Sequence, residues 1–130
     1  MTQSFTIRQI YLKDLSFQAP MGVAVFTQEW APKVKVDMKT TQNAVGGNLI
    51  EVTLTISVLT TTAGDTAYMI EAIQAGIFEI KAVSDQEREH ILRVKCPGIL
   101  FPYAREAIEG VIMRGRMPAL ILDPIDFEAS

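Results

Sequence analysis

An α+β fold built on a four-stranded antiparallel sheet is what this chain predicts, and three observations predict it. Four segments between Phe5 and Ile80 carry alternating or β-branched patterns at strand length. The breaks between the last three are short and glycine-bearing, at Gly46-Gly47 and Ala63-Gly64-Asp65, which favours antiparallel pairing of neighbours. After Pro102 the apolar period becomes that of a helix. With 130 residues, 48% hydrophobic and 21% charged, the chain reads as one domain, 1–130, long enough to bury a real core.

In the first segment Phe5, Ile7, Tyr11, Leu15 and Phe17 share one parity, while Ile10 and Leu12 fall on the other. That predicts a long strand with apolar residues on both faces in its middle. Ala19-Pro20-Met21-Gly22 ends it, and a loop through Phe26 and Trp30 to Pro32 follows, more aromatic than a solvated loop. Val34, Val36 and Met38 then alternate with Lys33, Lys35, Asp37 and Lys39, the pattern of a half-buried strand. From Leu49 to Thr62 a β-branched segment places Ile50, Val52, Leu54, Ile56 and Val58 on one face, with Glu51, Thr53, Thr55 and Ser57 on the other. The fourth strand runs from Thr66 to about Ile80, and Gly76 within it signals a bulge.

Residues 84–95 read as a short helix that buries Ile91, Leu92 and Val94. Pro97 and Gly98 break it, and Pro102 suits the first turn of a new helix, where its missing N–H costs nothing. Ala104, Ala107, Ile108, Val111 and Ile112 form the buried stripe of that helix, opposite Arg105, Glu106, Glu109 and Arg114. Gly115 ends it, with Pro118 close behind. Leu120 and Leu122 lead to Pro124, and Asp126 caps a first turn at Phe127-Glu128-Ala129, which reads as the start of a helix cut short.

The net charge of −3, with no basic cluster, argues against a nucleic-acid surface. Met1 to Ile10 has no apolar signal core and nothing approaches a membrane span of about 20 apolar residues, so a cytoplasmic protein without membrane insertion is expected. Cys96 is the single cysteine, and no disulfide forms within the chain. His90 lies six residues from it, but such a pair straddles a helix end and lacks a third, orienting group. An exposed histidine and a small buried thiol is the stronger reading. Asp37, Glu51, Glu71 and Glu79 occupy polar strand parities, zinc would need four nitrogen or sulfur ligands, and Gly46-Gly47 lacks the helix and lysine of a phosphate loop. No catalytic residue, metal or cofactor is expected. Phe26 and Trp30 have two open readings, a plug at the end of the core or the floor of an apolar groove beside Val34, Val36 and Met38. Four strands with few helices also leave apolar surface for a second copy to cover.

The run Cys96-Pro97-Gly98-Ile99-Leu100-Phe101-Pro102-Tyr103-Ala104-Arg105-Glu106-Ala107-Ile108 resembles the strand-to-helix junction of the SecB export chaperones. Tyr11 to Pro20, Val25-Phe26 through Trp30 and Pro32, Val34-Lys35-Val36-Asp37-Met38, Gly76-Ile77-Phe78, and Arg114-Gly115 on to Phe127 are similar to that family in the same order. The resemblance implies helices packed on one side of the sheet and a homotetramer assembled as a dimer of dimers, the helix from about Pro102 to Arg114 contributing to the contact between dimers. It implies an ATP-independent chaperone, not an enzyme, that holds unfolded secretory precursors and delivers them to the SecA motor. By position, client binding falls on Phe26, Trp30, Val34, Val36, Met38 and Thr40, and SecA binding on Asp14, Gln18, Met69 and Glu71. Gln18 stands where the family commonly has glutamate, so Asp14 and Glu71 carry more of the attraction. The family's final helix and acidic tail have no counterpart in the 130 residues, which bears on client affinity and handover. A dedicated chaperone of one partner, such as an antitoxin, is the nearest rival. A small enzyme, which predicts a closed polar pocket, is the rival of another class.

Overall fold

The computed structural model describes residues 4–129. Strands β1 (Ser4–Gln18), β2 (Pro32–Gly46), β3 (Leu49–Thr62) and β4 (Asp65–Lys81) form one antiparallel sheet in the order β1-β4-β3-β2. β2, β3 and β4 are joined as hairpins. At Ala63 and Gly64 both φ angles are positive (52° and 82°), the twist-matched geometry of a two-residue hairpin loop. The connection from β1 to β2 crosses from one edge of the sheet to the other through a single helical turn, α1 (Ala24–Thr27). Its exit is held by the Thr62 hydroxyl, which accepts from the Ala31 N–H (3.0 Å) and donates to the Glu29 carbonyl (3.3 Å).

β1 keeps its aliphatic and phenylalanine side chains on one face. Its register against β4 slips once between Ile7 and Gln9 and again between Leu12 and Asp14, so Arg8 and Lys13 are bulged. The first bulge reverses the parity and the second restores it. Phe5, Ile7, Ile10, Leu12, Leu15 and Phe17 therefore all face the helices, while Tyr11 turns to the other side. Gly76, by contrast, is no bulge: it pairs in register with both Ile10 and Val52. A Cβ there would lie 2.8 Å from the Phe78 ring and 3.1 Å from Leu100, so glycine is needed for close packing.

Pro97 and Gly98 do not break the helical region. Helix α2 (Asp85–His90), whose start is capped by Ser84 accepting from the Glu87 N–H at 3.1 Å, passes through a π-helical stretch (Ile91–Lys95) into α3 (Cys96–Arg114). Pro97 falls in the first turn of α3, and Pro102 lies in the helix interior rather than at its start. What carries the helix across is an apolar stripe at every fourth residue: Leu92, Cys96, Leu100, Ala104, Ile108 and Ile112 are all buried. In an α-helix such a stripe drifts by about 40° per step, and the wider π turn sets it back. The resemblance run is thus helix from end to end, not a strand-to-helix junction. Of the three contacts expected in 84–95, Leu92 is buried while Ile91 and Val94 are half-buried. Gly115 closes the helix for a different reason than expected. Its φ is an ordinary −75°, and the left-handed residue is Arg116 (61°). A Cβ on Gly115 would lie 2.4 Å from the ring of Phe17, so the glycine admits that ring.

The core lies between the sheet and this helix. Ile50, Val52, Leu54, Ile56 and Val58 of β3 and Tyr68, Ile70, Ala72, Phe78 and Ile80 of β4 meet the α3 stripe. Phe5 stacks on Phe78 (centroids 5.6 Å apart) and Phe17 on Tyr68 (5.9 Å). Each fully buried large side chain of this core, such as Leu54 or Phe78, contributes about 1.5–3 kcal/mol. Beyond α3, Met117 and Leu122 return to the core, and the Leu122 N–H donates to Glu109 (3.4 Å). Asp126 caps the closing 3₁₀ turn (Phe127–Ala129) by accepting from the Glu128 N–H at 3.0 Å, as its sequence suggested. β2 departs from expectation. It is exposed along nearly its whole length and only Met38 is half-buried, because α3 lies over β4 and β3 and reaches β1 but leaves β2 uncovered.

Candidate functional site

Two open regions of the sheet collect most of the residues singled out by sequence. The first is the helix-side face of β2. Val34, Val36, Met38 and Thr40 pair with Thr60, Val58, Ile56 and Leu54 of β3, so all four point the same way as the β3 core residues. Val34 is nevertheless 42% and Val36 38% exposed. Beside them a groove of about 560 Å³ opens between β2 and the helical arm. Met38, Leu92 and Phe127 supply apolar lining, Thr40 and Gln42 continue it along β2, and Asp85, Arg88, Glu89 and Arg93 add charge. Arg93 is held by Glu89 at 2.9 Å.

Of the six residues assigned to client binding, the groove takes in Met38 and Thr40. Val34 and Val36 continue the same face beyond it. The crossover loop divides its aromatic residues: Trp30 is half-buried against the core, Phe26 is 59% exposed, and the residue that plugs the core end is Val25. Leu92 and Phe127 are the groove residues that sequence reading did not assign to it. Phe127 sits edge-on to Phe101 (6.3 Å), and its capped turn was the signal that the segment is ordered there.

The second region is the face of the sheet away from the helices. Strand register lays out its upper half in three rows: Gln18-Met69-Leu59-Lys35, Ser16-Glu71-Ser57-Asp37 and Asp14-Ile73-Thr55-Lys39. A shallow cavity of about 380 Å³ takes in Gln18, Met69 and Glu71, with Asp14 one row away. It also takes in Leu59, Lys35 and Asp37, which only the register, not the sequence pattern, places there.

The lower half of that face is internally paired. Tyr11 donates a hydrogen bond to Glu51, and Lys13 Nζ lies 3.2 Å from the same carboxylate. The Tyr11 hydroxyl, then Lys13, hold Glu51 below the usual carboxylate range against the opposing effect of burial, and the carboxylate in turn raises Tyr11. Glu79 stands between Lys81 (3.6 Å) and Arg8 (4.0 Å). Both bulged residues of β1 are therefore bases aimed at carboxylates. Among the described residues, the side chains of Asp14 and Glu71 have no such partner.

Cysteine chemistry has no support from the geometry. Burial pushes the Cys96 thiol up to about 12, so it stays protonated. His90 Nε2 meets Glu128 at 2.5 Å instead. Among the described residues no group of three histidine, cysteine or carboxylate side chains is placed to hold a metal, and no helix is long and apolar enough to cross a membrane.

The family model described as preprotein translocase subunit SecB matches residues 1–130. Proteins named protein-export protein SecB from Pseudomonas savastanoi pv. phaseolicola and Pseudomonas fluorescens are 47% and 45% identical over 125 residues, covering 96% of this chain and 77% and 79% of theirs. Among solved structures, a Mycobacterium tuberculosis SecB-like chaperone in complex with a ChAD peptide from an antitoxin superposes with a TM-score of 0.75 at 15% identity. That match covers 94% of this chain and 91% of the other, and it speaks for the fold alone.

Proposed function

The chain belongs to the SecB family, and from that premise we propose that it holds unfolded secretory precursors in the cytoplasm without ATP and passes them to the SecA motor. The observation that carries the reading is the uncovered helix-side face of β2 beside a groove floored by Met38, Leu92 and Phe127. A protomer that buries the helix-side faces of β3 and β4 yet leaves Val34 and Val36 more than a third exposed keeps an apolar strip free for something else. The groove is open and mixed in character, which suits apolar segments of many sequences better than one small substrate.

Client binding is assigned to Phe26, Trp30, Val34, Val36, Met38 and Thr40, with Leu92 and Phe127 added by the groove itself. SecA docking is assigned to Asp14, Gln18, Met69 and Glu71. The assembly proposed is the dimer of dimers. The exposure of Tyr103 and Met113 on α3, and of Ile7 and Leu12 on edge strand β1, supports contacts there. Multivalency gives the tetramer its purpose. One short apolar segment gains a few kcal/mol per buried side chain, against an immobilisation cost of roughly 4–15 kcal/mol. A long client that spans several grooves meets later ones at an effective concentration of up to about millimolar.

Light-scattering mass, measured on the chain alone and with an unfolded precursor, tests this. The expected result is a tetramer that keeps the precursor in a soluble complex. A precursor that aggregates at the same rate with and without a correctly assembled tetramer would sink the reading.

A further inference from the structure

The charges on the outer face are not uniform, and their division specifies the partner more closely than an acidic patch does. In the lower half, Glu51 and Glu79 are already matched by Tyr11, Lys13, Arg8 and Lys81. An incoming base finds Asp14 and Glu71, which have no partner among the described residues. The cavity beside them does not stop at β4. It runs over Met69 and Leu59 to Lys35 on β2, and Lys33 and Lys39 flank Lys35 at the same outward parity. On the diagonal from Glu71 on β4 to Lys35 on β2, two strands and one row away, the face thus passes from carboxylate, over apolar floor, to ammonium, with Asp37 beside the lysine.

We infer that the docking surface extends across β3 onto β2, and that the segment it receives carries an acidic group about 12–16 Å from its basic one, with an apolar side chain between. The inference rests on the motor-docking reading of Asp14, Gln18, Met69 and Glu71. The base meets Asp14 and Glu71, the apolar side chain covers Met69 and Leu59, and the acid meets Lys35. That distance is roughly four or five residues of an extended segment or eight to eleven of a helix. Asp37 lies 3.9 Å from Lys35, but both side chains are largely in solvent, so the pair opens readily to a competing carboxylate. A segment with bases only would be repelled by the three lysines of β2.

The test is calorimetric affinity of the SecA motor for the tetramer and for three variants at surface positions, each checked for an unchanged unfolding midpoint. Lys35→Glu should weaken binding roughly three- to tenfold, and Asp37→Asn should tighten it by up to about threefold, because it frees Lys35. The reverse pair of signs would mean a wholly basic segment and would overturn the inference. Weakening by Glu71→Lys with no response to Lys35→Glu overturns the inference and leaves the docking reading standing. No response to Glu71→Lys overturns both.

Discussion

β2 and β3 are paired along their whole length and carry the same alternation, yet one is sealed and the other open. Val52, Leu54, Ile56 and Val58 are buried, whereas Val34 and Val36, on the same face one strand over, are each more than a third exposed. The difference is where the helix ends sideways, not anything in the strands. Alternation tells which face a side chain takes; only the neighbouring layer decides whether that face is covered. In this fold the covered part holds the molecule together, and the uncovered part is the strip assigned to clients in the proposed function.

The comparison predicts unequal responses to truncation. Leu54→Ala, at full burial beneath α3, should cost about 2–5 kcal/mol in denaturant unfolding, the range for a cavity in a packed core. A loss below about 1 kcal/mol would mean the sealed half is looser than its burial indicates. β1, the opposite edge, is intermediate, and Gly115 tests it. Gly115→Ala drives a methyl into the Phe17 ring, and since Phe17 is only half-buried the ring can yield in part. A cost of about 1–3 kcal/mol is expected. Phe17→Leu in the same chain should recover most of it.

How far the sequence made this legible follows from the same logic. The β3 stripe was plain because nothing interrupts its parity. β1 was misread because two bulges, at Arg8 and Lys13, reverse and restore parity, and a bulge leaves no mark in composition unless glycine supplies it. Gly76 and Gly115 were given conformational roles, a bulge and a helix stop. Each is instead small so that a ring or a helix can approach. Pro97-Gly98 carries the local signature of a break, but the buried every-fourth stripe that runs through it overrides that propensity. The candidate sites came from family resemblance. Strand register then supplied Leu59, Lys35 and Asp37, and the groove supplied Leu92 and Phe127, all of them long-range juxtapositions.

The paired lower half of the outer face gives a smaller, pH-dependent effect. Glu51 is held below its ordinary range, so the stability it contributes is present above the unfolded carboxylate value and is lost as pH falls through the folded one. Tyr11→Phe removes the largest cause of that shift. It should cost about 1 kcal/mol at neutral pH, the lower end for a bond to a charged group because the site lies at the sheet surface. The variant's acid limb should be shallower than the parent's as pH falls below the ordinary carboxylate range. Parallel limbs in the two proteins would mean that Glu51 does not contribute.

Val36→Ser should show the smallest change in stability and so separates the two halves most cleanly. Val36 faces the same way as its partner Val58, but the methyls it would lose already touch water, so unfolding should move by no more than about 0.5 kcal/mol. If the open strip is where clients rest, release of an unfolded precursor should quicken several-fold in the same variant, since each apolar anchor weakens every groove of the assembly together. Stability and retention would then part company along one pair of strands, with Leu54 governing the first and Val36 the second. A Val36→Ser protein that unfolds early would place β2 in the core after all. One that keeps both stability and retention would move client binding off the strip and into the groove of Met38, Leu92 and Phe127.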